Sequence, residues 1–220
     1  MNIQLRNVTK IYKKSNPHEK ALNRINLDIH LQEKILISGD SGSGKTTLIN
    51  ILSLMDLDFT GTYLLNGISI HDMKSKELSN YRRDLFSVIH QEYALIEDEN
   101  VYDNVKIPLL FSSVKSVEHK KAIEYVLEKV GLTEFKNRRV DKLSGGQRQR
   151  VAIARSLVRK SKVLLADEPL AAIQQELSQE LFEVIYNNSE TLIYVSHHLE
   201  CLKNYQFREI ILNEGLIEKV

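Results

Sequence analysis

Three short stretches carry residue types whose spacing can do chemistry. Gly39-Asp40-Ser41-Gly42-Ser43-Gly44-Lys45-Thr46 follows the pattern G-x-x-x-x-G-K-[ST]. Glycines let such a loop curl so that successive backbone N–H groups point at anionic oxygens. A lysine at this spacing reaches the β and γ phosphates of a nucleotide, and the hydroxyl of Thr46 suits Mg²⁺. A helix that follows adds the partial positive charge of its N-terminus. Further along, Asp167 and Glu168 close the apolar run Val163-Leu164-Leu165-Ala166. A carboxylate at the carboxyl end of a buried strand can orient Mg²⁺ through water, and its neighbour can act as general base. The pair of motifs implies a nucleoside-triphosphate site with hydrolytic equipment.

The third stretch is Lys142 to Leu157, KLSGGQRQRVAIARSL. Ser144-Gly145-Gly146 opens a helix with free N–H groups, which makes a second anion site on the same chain. One domain does not need two such sites for one nucleotide. Two copies arranged head to tail do: the loop of one and the Ser-Gly-Gly helix of the other clamp the γ-phosphate between them.

Hydrophobic patterning supplies the elements that must hold these motifs. Ile3 to Tyr12 and Leu22 to Ile29 read as strands joined by a polar turn at Ser15-Asn16-Pro17. Lys34 to Ser38 is a short apolar strand that runs into the glycine-rich loop. Leu48, Ile49, Ile51, Leu52 and Met55 then recur at helical spacing. Thr62 to Leu65 followed by Asn66-Gly67 reads as a strand and hairpin turn. Residues 117–130 predict an amphipathic helix that ends at Gly131. A second helix is expected from near Ser144 to about Arg159, with Val151, Ala154, Leu157 and Val158 on its buried face. Val163–Ala166 and Thr191–Val195 are continuous apolar runs, as expected of parallel strands covered on both faces. Strands alternating with helices imply an α/β core, with a helical subdomain at roughly residues 86–150.

Global properties narrow the class. The 220 residues fit one domain with a sizeable core. A formal net charge of +1 gives no overall field toward nucleic acid or an acidic membrane face. Arg148, Arg150, Arg155, Arg159, Lys160 and Lys162 form a basic cluster that reads as a solvated helix face, so no nucleic-acid partner is expected. Glu97-Asp98-Glu99 reads as a solvated loop. The single Cys201 cannot form an internal disulfide, which suits a reducing cytosol. No apolar run reaches the roughly 18–20 residues that span a bilayer. A membrane role would therefore run through another chain.

Over nearly its whole length the sequence resembles the nucleotide-binding subunit of ATP-binding cassette (ABC) transporters. GDSGSGKT matches the Walker A loop, LSGGQ the signature and VLLADE the Walker B strand. The resemblance implies an α/β P-loop NTPase fold: a RecA-like, mostly parallel core sheet, an N-terminal antiparallel β subdomain and a helical subdomain, all in one nucleotide-binding domain over residues 1–220. It implies ATP and Mg²⁺ as ligands. The ATP-binding set is Tyr12, which matches the aromatic that stacks on adenine, with Gly39, Asp40, Ser41, Gly42, Ser43, Gly44, Lys45, Thr46 and Thr47. Thr46, Gln91 of the Q-loop and Asp167 correspond to the metal site, and Glu168 with the switch histidine His197 to the catalytic pair. Ser144, Gly145, Gly146 and Gln147 would reach the ATP of a second copy in an ATP-sandwich homodimer. The implied partners are that second copy and a separate transmembrane permease, on the cytoplasmic inner face of the membrane. Glu92 to Phe111 further resembles the branch that drives lipoprotein release, macrolide export and antimicrobial-peptide resistance.

Three positions depart from the family pattern. Gln32 stands where a glycine is common, which affects a turn, and His90 stands where a phenylalanine often precedes the Q-loop glutamine. The D-loop reads Ala171-Ala172-Ile173-Gln174, so a glutamine replaces the aspartate at the expected dimer seam. It keeps hydrogen-bonding capacity and loses the charge. With Glu168, His197, Gln91 and Lys45 retained, hydrolysis is expected to persist and communication between the two sites to weaken; the alternative readings are a soluble ABC ATPase outside transport and a non-hydrolysing ATP-gated dimer or sensing component.

Overall fold

Successive residues of the central strands divide by parity between two separate cores. The computed structural model describes residues 2–12, 20–112, 114–196 and 202–219. In β3 (Lys34–Ser38), β7 (Val163–Asp167) and β8 (Thr191–Val195), side chains alternate across the sheet. Ile35, Ile37, Val163, Leu165, Ile193 and Val195 face one apolar cluster, whereas Leu36, Leu164, Ala166, Leu192 and Tyr194 face the other. A strand with apolar neighbours on both faces needs no polar residues, which is why these runs are continuous.

These strands belong to a six-stranded sheet of order β10-β9-β3-β8-β7-β6, with β6 at Phe86–Ile89, β9 at Arg208–Asn213 and β10 at Leu216–Lys219. All neighbours pair in parallel except β10, which is antiparallel to β9. A second, antiparallel sheet has the order β2-β1-β4-β5. Its strands are β1 (Asn2–Lys10), β2 (Leu22–His30), β4 (Thr60–Leu65) and β5 (Ile68–Ser69). Helix α1 (Lys45–Leu52) lies in the apolar cluster shared by the two sheets. The fold is the expected α/β architecture. Asn66 and Gly67 take positive φ values of 52° and 80°, as a two-residue hairpin turn requires.

The remaining helices are α2 (Ser75–Leu85), α3 (Val101–Leu110), α4 (Ser116–Lys129), α5 (Gly145–Leu157) and α6 (Gln175–Asn187). Helices α3, α4, α5 and α6 all contribute to the second cluster. Residues 86–89, expected within the helical subdomain, instead form an edge strand of the core sheet. Phe86, Val88 and Ile89 pair with Val163, Leu165 and Ala166, so the ladder to β7 overrides helical placement here.

The basic cluster also departs from expectation, because its arginines are half-buried clamps on backbone carbonyls. Arg155 donates to the carbonyls of Ala94 at 2.6 Å and Tyr93 at 2.7 Å, and Arg159 donates to that of Phe86. Arg150 reaches the carbonyls of Val130 and Gly131, each at 3.2 Å. A guanidinium carries a fork of donors on an apolar stem, so it can cover a helix flank and satisfy loop carbonyls together. Lys160 and Lys162 remain exposed, as expected. Within Glu97-Asp98-Glu99, Asp98 pairs with Arg139 at 2.8 Å and Glu97 lies 3.9 Å from Arg148.

Candidate active site

The carboxyl ends of β3 and β7 lie on either side of β8, and both motifs emerge there. After β3 the chain turns through Gly39 and Gly44, with φ of 144° and 105°, into α1. A Cβ on Gly39 would collide with the Leu212 carbonyl and one on Gly44 with the Ala21 carbonyl. Only glycine fits these two backbones. Gly44 is the N-cap residue of α1 and makes no side-chain capping bond, so the helix presents its N–H groups to the loop's concave side.

Lys45 is 6% exposed, and its Nζ donates to the carbonyls of Gly39 at 2.9 Å and Asp40 at 2.6 Å. Burial lowers the affinity of this amine for its proton below the ordinary lysine value, against the attraction of Glu168, Asp167 and Asp40. Thr46 donates from Oγ1 to Asp167 Oδ2 at 2.7 Å, which joins the loop to the end of β7. Glu168 follows with φ of 47°, and its N–H donates to the Val195 carbonyl at 3.0 Å. A non-glycine residue in the left-handed region is uncommon. Here it turns the carboxylate out of the sheet edge toward the loop.

Tyr12, Ser41, Gly42, Gly44, Lys45, Thr46, Thr47, Gln91, Asp167 and Glu168 line one cavity of about 300 Å³. Sequence separation between its extremes is large, yet the fold brings most of the expected ATP and metal residues together. Ser43 is buried behind the loop, with its N–H bonded to the Asp40 carbonyl at 3.2 Å. Among the described residues no group of three or more His, Cys, Asp or Glu is placed to hold a metal ion. Thr46, Asp167 and Gln91 all line the cavity and carry side-chain oxygens, a set suited to a hard cation that keeps waters and phosphate oxygens as its other ligands. His197, His198 and Cys201 lie outside the described residues.

The structure sets the signature apart from this cavity. Ser144 caps α5 in a reciprocal box: its Oγ accepts from the Gln147 N–H at 3.3 Å, and Gln147 Oε1 accepts from the Ser144 N–H at 3.0 Å. Ser144 and Gly145 are exposed, whereas Gly146 packs where a Cβ would stand 3.2 Å from the Ala172 carbonyl. The signature and the D-loop are therefore neighbours on one surface. Gln174 occupies the N-cap position of α6 with its side chain exposed and no capping bond.

Two positioning residues escape sequence reading. Gln149 is 2% exposed and binds the Pro169 carbonyl at 2.7 Å. Asn104, 0% exposed, accepts from the Ile96 N–H and donates to the Ile96 and Asn100 carbonyls, pinning the loop before α3. The signal for Gln149 was its register: Ala152, Ile153 and Ser156, three, four and seven positions on, are all buried.

A family model described as ABC transporter matches residues 22–171. An uncharacterized ABC transporter ATP-binding protein, YknY of Bacillus subtilis, is 38% identical over 201 residues, 90% of this chain and 87% of that one. A macrolide export ATP-binding/permease protein, MacB 2 of Yersinia pestis, is 35% identical over 98% of this chain, which spans 32% of the MacB length. The dimeric post-hydrolysis structure of the ATP-binding cassette MJ0796 with ADP and Pi superposes with a TM-score of 0.89 at 32% identity, covering 99% of this chain and 97% of that chain. The chain belongs to the ABC transporter family, as an ATP-binding subunit that hydrolyses ATP.

Proposed function

We propose that the chain powers an exporter of lipoprotein, peptide or drug-like cargo by closing as a homodimer around two ATP molecules. The observation that carries this reading is the separation of the two anion-binding features. The loop, Thr46, Asp167 and Glu168 share one cavity, while the N-terminus of α5 stands exposed elsewhere on the same protomer. In a head-to-tail pair Ser144, Gly145, Gly146 and Gln147 complete the partner's site.

Within that site the loop N–H groups and Lys45 hold the β and γ phosphates, and Tyr12 faces the adenine. Thr46, Asp167 and Gln91 would hold Mg²⁺, which when bound would supply charge neutralisation at the phosphates. Glu168 takes the proton of the attacking water, with Gln91 and His197 orienting the reactants. Export is supported by the similarity to relatives named for it and by the resemblance over Glu92 to Phe111.

The permease is a separate chain in this reading. Among the described residues no helix is long and apolar enough to cross a membrane. A groove of about 640 Å³ between α2, α3 and α5, lined in part by Met55, Phe86, His90, Pro108, Phe111 and Arg155, supports a docking surface on the inner face of the cell membrane. Met55, 59% exposed, and Phe111, 66% exposed, share this groove, and apolar residues grouped in this way suit a protein contact. Steady-state phosphate release with and without the co-expressed neighbouring permease tests the reading. Stimulation or inhibition by the permease supports it, and identical rates with no co-purification would overturn it.

A further inference from the structure

Lys10, the last residue of β1, is a buried cation at 4% exposure. Its Nζ donates to Asp56 Oδ1 at 3.0 Å, to the Asp58 carbonyl at 2.6 Å and to Asp58 Oδ2 at 3.4 Å. Both aspartates belong to the connection from α1 to β4, so the lysine ties the N-terminal sheet to the segment that follows the phosphate-binding helix. The same Nζ stands over the ring of Tyr12, 5.0 Å from its centroid.

Tyr12 lies beyond the end of β1, where no ladder hydrogen bond orients it. Two contacts do so instead. Its hydroxyl lies 3.2 Å from Thr47 Oγ1 on α1, and Lys10 covers one ring face. The ring is still 40% exposed and lines the nucleotide cavity. A cation within about 6 Å of an aromatic face is attracted by the ring quadrupole. That attraction is strengthened when the cation is desolvated, and the carboxylates of Asp56 and Asp58 keep this one charged in its buried position.

We infer that Lys10 is a positioning residue for the nucleotide base: held by Asp56 and Asp58, it fixes the Tyr12 ring from behind so that the opposite face receives the adenine. The inference rests on the reading of Tyr12 as the adenine contact. Lys10 does not line the nucleotide cavity itself, so its expected effect runs through Tyr12 and is confined to the base end of the ligand.

Binding of ATP and of inorganic tripolyphosphate to the full chain, measured by calorimetry, separates base from phosphate recognition. Lys10→Gln is expected to weaken ATP about fivefold, equivalent to ~1 kcal/mol, and to leave tripolyphosphate unchanged. In turnover KM rises while kcat holds. Lys10→Arg is expected to retain ATP affinity, because a guanidinium also stacks on an aromatic face. Unchanged ATP affinity in Lys10→Gln, or an equal loss for tripolyphosphate, would overturn the inference. If Lys10→Gln does not fold, Asp56→Asn loosens the clamp and serves instead; it must weaken ATP alone. Tyr12→Ala keeps the two readings apart. If it leaves ATP binding intact, the Tyr12 reading fails; if it weakens ATP while Lys10→Gln does not, only the role of Lys10 fails.

Discussion

Gln149 Nε2 donates to the Pro169 carbonyl oxygen at 2.7 Å, so the signature helix holds the turn that follows Glu168. Both residues are buried, and the bond links α5, whose N-terminus is exposed, to the turn that follows β7. In the proposed dimer, a contact made by the signature would thus be coupled through α5 to the residue next to Glu168. The amide is well suited to this task, since a buried carbonyl needs a donor and a charge there would be costly.

Replacing Gln149 with Leu removes that donor and strands the Pro169 carbonyl. We expect a loss of about 1–3 kcal/mol in stability, together with lower kcat. Urea unfolding and phosphate release measure the two effects. A midpoint equal to that of the parent would show that water satisfies the carbonyl and that the link is dispensable.

Gln174→Asp acts on two properties at once. Aspartate is a favoured N-cap and glutamine is not, and the Gln174 side chain makes no capping bond. The variant should stabilise the protein by about 0.5–1 kcal/mol through α6. It should also raise the cooperativity of ATP hydrolysis, if the missing charge weakens coupling across the seam. A Hill coefficient equal to the parent's, alongside higher thermal stability, would confine the role of residue 174 to helix capping.

Glu168→Gln keeps the shape of the side chain and removes the base. Hydrolysis should fall about 10²-fold or more, while ATP binding persists and a dimer accumulates. Size measurement by ultracentrifugation with ATP reads the dimer directly. A variant that stays monomeric at saturating ATP would contradict the sandwich arrangement.

Arg155→Met frees the carbonyls of Tyr93 and Ala94, which the guanidinium now binds at 2.7 and 2.6 Å. These residues have positive φ of 27° and 48°, two and three positions past Gln91. We expect about 2 kcal/mol of destabilisation and faster hydrogen exchange in residues 92–95. Arg155→Lys should not rescue it, since one ammonium cannot span both carbonyls with the same fork. Full rescue by lysine would mean that charge alone matters.

Asp28 provides a pH signature in the N-terminal sheet. Arg6, at 2.7 Å, and then Gln4, at 2.9 Å, hold its carboxyl below the ordinary aspartate value of 3.8. The stabilisation is therefore complete above that value and is lost as pH falls through the lower, folded-state value. The difference in melting temperature between the parent and Asp28→Asn should shrink as pH drops below 3.8. A difference constant across that range would assign the effect to packing.

Much of the site was legible because its chemistry is written locally. The glycine spacing from Gly39 to Gly44, the acids ending Val163–Asp167 and the Ser-Gly-Gly helix start each depend on residues a few positions apart. Backbone dihedrals and helix termini obey neighbours in sequence, so such motifs can be read before any packing is known. Gln32 shows the same locality: it keeps φ of 69° at a position where glycine is common, and the turn survives.

The rest depended on which elements meet. The sequence by itself determined the phosphate-binding loop, the parallel strands, the two acids and the exchange at Gln174. Only the tertiary structure decided that Phe86–Ile89 joins the core sheet and that Arg155 and Arg159 bind carbonyls rather than water. The same holds for Gln149 reaching Pro169 and for Lys10 lying under Tyr12. A donor-rich side chain satisfies whatever acceptor the packing brings near, and that acceptor sits 20 to 73 residues away in the chain for Gln149 and Arg159. No local pattern carries that distance.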